Sequence, residues 1–456
     1  MQVISYIHLR LTPTPMKYII MLLLATILCR AQGQQVNTAK LDSFFNILDS
    51  NHKAMGTFVI RKDGKQVYAR SLGFRAVEKD TLLSDSLTRY RIGSITKVFT
   101  ATMIFQLIEE GKLSLDTRLA RFYPKMPGAS EITIGQLLSH RSGLMDFVND
   151  LTDKRWIAGK HSREQILDSI AKKAPHFAPG SKQLYCNSGY LILAGIIEKI
   201  TGKSYPEALD SRIAKRVGLK HTLSGVPNNQ GTLEASAYGR RDYWTQITDM
   251  YFPNVIGVGD VLSTPVDMLK FLSALSSGKL VSEKSFAQMC SFDREQLFGM
   301  GLMMVPFYSQ SGFGHNGATF GSFSMLASFP KSGISLAMSI NGQQYSLNEI
   351  TIAMLSMANN MPFDLPSFRE IKLSAELLKS YTGEYSSAGL PVKITISQSN
   401  GQLQAQATGQ SGFPLQAVSD NTFRFDTAGI KIVFKPEGGQ MLFSQGARSF
   451  VFSKVR

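Results

Sequence analysis

The chain has 456 residues, 43% of them hydrophobic and 10% aromatic, with a formal charge of +15. That composition excludes a disordered chain, and the length calls for two or three domains rather than one core. A field this positive favours anionic surfaces such as lipid headgroups, acidic polymers or a carboxylate-bearing substrate. No basic helix, zinc-finger spacing or aromatic-basic stripe points to nucleic acid, and scattered lysines on a basic secreted protein are the plainer reading.

In chain order, residues 1–33 read as a secretion leader. Lys17 supplies the positive region, Tyr18 to Leu28 an apolar run too short to span a bilayer comfortably, and Ala31 or Gly33 a small residue for cleavage, with Met16 a candidate start. Leu28 is too bulky for a lipid-attachment box ahead of Cys29. No later apolar run has the length of a membrane helix, so the expectation is an exported, periplasmic or extracellular protein without an integral membrane segment. Past the leader only Cys186 and Cys290 remain, which is no disulfide framework, and whether they pair is left open. The histidines show no HExxH or HxHxD spacing, so a zinc hydrolase is disfavoured and no metal or organic cofactor is implied.

Thr57 to Ile60 and Gln66 to Arg70 form a hairpin pattern around Asp63-Gly64. Ser94 to Glu110 follows as a helix: Ile95, Val98, Phe99, Met103, Ile104 and Leu107 make a wide apolar face, and Gly111 closes the end. Helical patterns dominate from Ile132 to about Leu275, including Leu191 to Ile200, and Thr264-Pro265-Val266-Asp267 is a helix start with Thr264 as cap and Asp267 able to reach back. Gly321 to Ser328 and Ile334 to Ile340 read as strands around Pro330-Lys331-Ser332-Gly333, followed by a helix over about Leu347 to Met357. Strands, helices, strands and a last helix do not alternate as in a doubly wound sheet. The order suits an α/β (α+β) domain, residues 36–358, whose antiparallel sheet joins the two ends of the domain around a helical insertion. Residues 359–372 read as a linker. Within 373–456, short β runs (Val392 to Ile396, Leu403 to Ala407, Thr422 to Phe425, Ile430 to Phe434, Met441 to Phe443, Ser449 to Phe452) fit a small antiparallel barrel or sandwich.

Three clusters carry chemistry. Ser-x-x-Lys alone is weak, since it recurs at Ser50/Lys53, Ser169/Lys172 and Ser276/Lys279. Ser94 differs in its setting: it follows Gly93 at the start of an apolar helix, and Lys97 shares its helix face within hydrogen-bond reach. A desolvated amine there can take the serine proton, and the helix N-terminus favours developing negative charge. A helix cap beside a solvated lysine is the competing reading. Tyr185-Cys186-Asn187 offers a phenol whose anion a lysine ammonium would stabilise, lowering its pKa so that it works as general base and acid. Asn187 can donate to a substrate carbonyl or tie Lys97 in place, while a mere turn before a helix is the alternative. His315-Asn316-Gly317-Ala318 precedes a strand; there an edge can pair with an extended substrate, the Ala318 and Ser94 amides can face an oxyanion, and the imidazole can meet a substrate carboxylate or Tyr185. A turn histidine is the plainer account of His315 taken alone.

Several blocks in one order resemble the serine β-lactamase-related family, which includes class C β-lactamases, D,D-carboxypeptidases, D-amino-acid peptidases and esterases. They are Arg91-Ile92-Gly93-Ser94-Ile95-Thr96-Lys97, Leu137-Leu138-Ser139-His140-Arg141-Ser142-Gly143-Leu144, Phe177-Ala178-Pro179-Gly180 ahead of Tyr185-Cys186-Asn187-Ser188-Gly189-Tyr190, and Gly314-His315-Asn316-Gly317. The likeness covers roughly residues 40–358. It implies a β-lactamase/transpeptidase-like antiparallel sheet flanked by helices, with a helical lobe and the active site between them. By motif position it implies Ser94 as acylated nucleophile, Lys97 and Tyr185 as proton-transfer groups, Asn187 as substrate contact, and the Ser94 and Ala318 amides as oxyanion hole. The tail resembles the small lipocalin-like barrel often appended to such enzymes. Two positions depart from the pattern. His315-Asn316-Gly317 replaces the Lys-Thr-Gly of class C β-lactamases, removing a permanent cation and with it the expectation of efficient β-lactam hydrolysis. Cys186 replaces a commoner serine and reads as a buried filler. The expectation is a serine hydrolase acting through an acyl-enzyme on a small-molecule or peptide substrate: a cell-wall D-amino-acid peptide, an ester or a β-lactam. A non-catalytic binder of cell-wall peptide is the rival from another class. Oligomeric state is not legible.

Overall fold

The computed structural model describes residues 36–77, 82–150, 155–227, 233–240, 242–292, 297–369, 371–445 and 448–455. The expected leader lies outside the described residues. Helix α1 (Thr38–Ser50) buries Leu41, Phe44, Phe45 and Leu48 against the first hairpin, β1 (Ala54–Lys62) and β2 (Lys65–Leu72). The turn between them sets Asp63 at φ 49° and Gly64 at φ 76°, the doubly left-handed geometry that matches strand twist and that Asp-Gly tolerates.

Four more strands continue the sheet: β3 (Met303–Phe307), β4 (Gln310–Ala318), β5 (Phe323–Phe329) and β6 (Ile334–Gln343). The order is β2-β1-β6-β5-β4-β3, every neighbour antiparallel, so the first and last strands of the domain pair in the middle. Thr57 lies opposite Ser339, which lies opposite Ser324, which lies opposite Gly317. The motif strand β4 is thus tied through β5 and β6 to β1 in one continuous register. A short strand, Tyr238–Arg240, pairs parallel to β6 at Gly342.

Helix α2 (Thr96–Glu109) is buried on every side from Thr96 to Leu107, wider than the face its sequence spacing predicts. It lies between the sheet and the helical lobe, packing on α3 (Asn187–Thr201) and on α4 (Pro265–Ser276), where the Phe99 and Phe271 rings stack at 3.8 Å. Gly111, at φ 71°, turns the chain away. Thr264 caps α4 by accepting from the Asp267 amide. Asp267 does not reach back as expected; it accepts from the His221 amide and the Thr222 hydroxyl, because α4 packs onto that segment. Helix α5 (Leu347–Ala358) returns to α1.

Beyond α6 (Ala375–Tyr381), eight strands close an up-and-down barrel: β7 (Gly383–Ser387), β8 (Leu390–Ser399), β9 (Gln402–Ala407), β10 (Phe413–Ala417), β11 (Thr422–Phe425), β12 (Ile430–Lys435), β13 (Gln440–Gln445) and β14 (Arg448–Lys454). Six of these follow from β-rich runs. Sequence reading misses β7 and β10, one polar and one containing Pro414, since closure of the barrel rather than propensity makes them strands. The barrel docks by a polar junction. Asp426 bonds Lys53 at 3.3 Å and accepts from the Ser346 amide through its carbonyl, while Arg424 donates to the Tyr345 hydroxyl. Among the described residues no helix is long and apolar enough to cross a membrane. Cys186 and Cys290 are both free thiols.

Candidate active site

Ser94 sits in a single 3-10 turn, Gly93–Ile95, feeding directly into α2. Gly93 adopts φ 55°. A Cβ there would lie 2.6 Å from the Ala318 amide nitrogen, and one on Gly317 would lie 1.9 Å from the Ile92 carbonyl and 3.1 Å from the Ser94 amide nitrogen. Two glycines therefore let the end of β4 lie backbone to backbone on the nucleophile turn, bringing the Ser94 and Ala318 amides together.

Lys97 is fully buried. Its Nζ stands 3.0 Å from Ser94 Oγ and donates to the Val258 carbonyl at 3.0 Å. The rings of Tyr185 and Tyr190 lie 5.1 and 5.7 Å from it. Burial brings its pKa down to about 7, against the opposing pull of Asp146 and then Cys186. A neutral amine is therefore within reach at ordinary pH.

Tyr185 stacks on His140 at 4.3 Å and tilts against Phe298 at 5.2 Å. Its hydroxyl is buried without an aligned hydrogen-bond partner, although the Ser94 hydroxyl is close enough to favour the phenolate. Burial outweighs that effect and pushes the phenol above its ordinary value. This corrects the expectation of a lowered phenol pKa. The amine meant to stabilise a phenolate is itself made readier to lose its charge by the same burial.

Asn187 begins α3 and is turned to a partner that sequence reading misses. Its Nδ2 lies 2.9 Å from Asp146 Oδ2 and 3.1 Å from Oδ1, and its backbone N–H donates to Oδ2 at 3.0 Å. It faces Asp146 rather than tying Lys97. Asp146 is 4% exposed and also accepts from the Val148 and Asn149 amides and from Asn149 Nδ2. The available signal was an acid set between Leu144-Met145 and Phe147-Val148, where only a satisfied carboxylate could be buried. His140, stacked on Tyr185, accepts from the Cys186 amide through Nδ1; it stood in a quoted block without a role.

His315 is buried behind the cleft, since strand alternation sends residues 315 and 317 inward and Asn316 and Ala318 outward. Its Nδ1 donates to the Asn316 carbonyl at 2.5 Å. Burial lowers its pKa to about 4, so the ring is neutral. The expected contacts, a substrate carboxylate or the Tyr185 hydroxyl, are not what this buried ring offers; its centroid lies 6.4 Å from that of Tyr185. Asn316 takes the outward place instead.

The cleft, about 350 Å³, joins Ser94, Tyr185, Asn187, Asn316, Gly317 and Ala318 to a wall of Val148, Met250, Val255, Val258 and Phe298. Asn149 and Gly259 complete its lining, and no lysine or arginine is among these described residues.

The beta-lactamase family model matches residues 44–355. The chain belongs to the beta-lactamase family. It is 28% identical over 313 residues to PbpX of Bacillus subtilis, classed among the penicillin-binding proteins, covering 68% of this chain and 74% of that one. It is 27% identical over 266 residues to the teichoic acid D-alanine hydrolase of Staphylococcus aureus, covering 55% of this chain and 64% of that one. The D-amino acid amidase of Ochrobactrum anthropi, solved with D-phenylalanine, superposes with a TM-score of 0.62 at 25% identity, over 71% of this chain and 99% of that one. This beta-lactamase-family chain is a serine hydrolase by kinship, and its fold is the mixed sheet-and-helix fold of that family with a closed barrel appended.

Proposed function

We propose that the protein hydrolyses an amide or ester that carries no carboxylate beside the scissile bond, through an acyl-enzyme on Ser94. The observation that carries the reading is the 3.0 Å approach of a buried, readily neutral Lys97 amine to the Ser94 hydroxyl. A neutral amine has one lone pair. With an N–H engaged by Val258, that lone pair is free to take the serine proton as Oγ forms its bond to the substrate carbonyl carbon. The adjoining Ser94 and Ala318 amides receive the oxyanion. The C–N or C–O bond then breaks, and Tyr185, protonated and beside Ser94, gives its proton to the leaving group and recovers one from Lys97. Water, deprotonated by the same pair, releases the acyl group.

The absence of lysine and arginine from the described lining of the cleft, together with a neutral His315, favours substrates without a carboxylate next to the scissile bond. D-amino-acid amides and D-alanyl esters, named for two relatives, fit that chemistry and the apolar wall better than β-lactams or free C-terminal peptides. A short-chain esterase is the second reading, favoured by the small volume of the cleft. The leader-like residues 1–33 support export.

A fluorophosphonate probe should label the wild type and leave folded Ser94→Ala unlabelled; labelling that survives this substitution overturns the assignment. Turnover of D-phenylalaninamide, p-nitrophenyl acetate and nitrocefin by purified protein ranks the substrate classes, with nitrocefin expected last.

A further inference from the structure

Two side-chain amides on the cleft wall have their polarity fixed by one buried acid. Asn149 and Asn187 both line the cleft. The Nδ2 of each is turned inward onto Asp146, at 2.9 Å for Asn149 and at 2.9 and 3.1 Å for Asn187. The Asp146 oxygens also accept the backbone N–H groups of Val148, Asn149 and Asn187. A carboxylate surrounded by N–H groups is an acceptor on both oxygens, so each amide must face it nitrogen first. The carbonyl oxygens then turn the other way. The cleft is offered acceptors where the sequence suggested that Asn187 would be a donor, and a negative charge stands behind them.

Such a wall suits a ligand group that is all donor and carries positive charge. We propose that Asn149 and Asn187, oriented and polarised by Asp146, form an acceptor subsite for a protonated amino group, so that the acyl residue delivered to Ser94 is an amino acid with an unblocked amine. This rests on the acyl-enzyme reading above and names the substrate class within it. N-acylated residues, as in peptides or acylamino β-lactams, keep a single N–H donor, lose the positive charge and bring a carbonyl oxygen that would meet this wall oxygen to oxygen. A bound ammonium, in contrast, has three donors and interacts favourably with both amide dipoles and the buried carboxylate. Asp146 acts through the two asparagines and is a positioning residue.

The test is competition against p-nitrophenyl acetate, which has no nitrogen to recognise in its acyl group and reports binding whether or not the competitor is turned over. D-Phenylalaninamide should compete at least about tenfold better than N-acetyl-D-phenylalaninamide with the wild type, equivalent to about 1.4 kcal/mol. Asn149→Leu, at an exposed rim position, should keep its fold and narrow the ratio. Asp146→Asn, which frees both amides to flip, should bring the ratio toward unity. Equal competition by the two amides in the wild type, better competition by the acetylated one, or competition by neither overturns the subsite. Persistent fluorophosphonate labelling of Ser94 in that case leaves the hydrolase reading standing, whereas loss of labelling would sink that reading instead.

Discussion

Lys97 and Ser94 meet at 3.0 Å across one turn of a helix that is buried on every side. Around the Lys97 amine stand Tyr185 and Tyr190 through their rings, the Val258 carbonyl, and, acting through its charge, Asp146. His140 and His315 also feel its charge and are both held neutral by burial. The amine gives up its charge more readily than it would in water, and that makes it a base.

Acylation should therefore track the neutral form of Lys97. Its pKa of about 7 lies below the ordinary lysine value, so the base is available above that pH and titrated away below it. With p-nitrophenyl acetate, kcat/KM should rise about tenfold per pH unit on the acid side and level off above about pH 7. A profile flat from about pH 5 to 9 would remove Lys97 from the role.

The same burial has a stability consequence of opposite value to the protein. In the window between about 7 and the ordinary 10.5, the unfolded chain holds a proton on Lys97 that the folded chain has released. Stability from this group thus rises with pH across that window and is lowest at its acid end. Lys97→Met should abolish acylation yet raise the unfolding free energy near neutral pH, on the order of a few kcal/mol. Chemical denaturation at two pH values would measure it, and a destabilised Lys97→Met protein would contradict it.

Gly317→Ala should lose at least about 100-fold in kcat/KM while the protein remains folded. Its new Cβ would sit 1.9 Å from the Ile92 carbonyl, and the strand must lift from the nucleophile turn to relieve this. The Ala318 amide would move with it. Ester hydrolysis beside circular dichroism would separate lost geometry from lost fold.

Arg91 pairs with Glu234 at 2.7 Å, with side chains 2% and 3% exposed, and donates to the Asp260 and Pro227 carbonyls. Arg91→Met would strand the Glu234 carboxylate in a dry site and should cost about 3–5 kcal/mol. The double variant Arg91→Met/Glu234→Gln should recover part of that loss in urea titration, because no charge is left unpaired.

The barrel junction offers a separate handle. Asp426 bridges Lys53 at 3.3 Å and Arg424 at 3.1 Å. Asp426→Ala should loosen docking and cost about 1–3 kcal/mol. Faster cleavage between residues 359 and 372 in limited proteolysis would show it; an unchanged cleavage rate would place the docking energy elsewhere.

Much of this protein was written locally. Asp63-Gly64 specifies its hairpin because only certain residues accept two left-handed positions in a row, and the apolar spacing after Ser94 specifies a helix because a 3.6-residue period has one solution. The Ser94–Lys97 contact was legible for the same reason: it joins residues three apart on one helix. The surroundings of Tyr185, Asn187 and His315 were not, since each depends on what folding brings against it from elsewhere in the chain. Burial raised the Tyr185 phenol and neutralised His315, and Asp146, 41 residues before Asn187, turned that amide around. Short-range geometry is a property of the backbone and can be read along it. Desolvation and the polarity of a side-chain amide are properties of the surroundings, which exist only once distant segments have packed together.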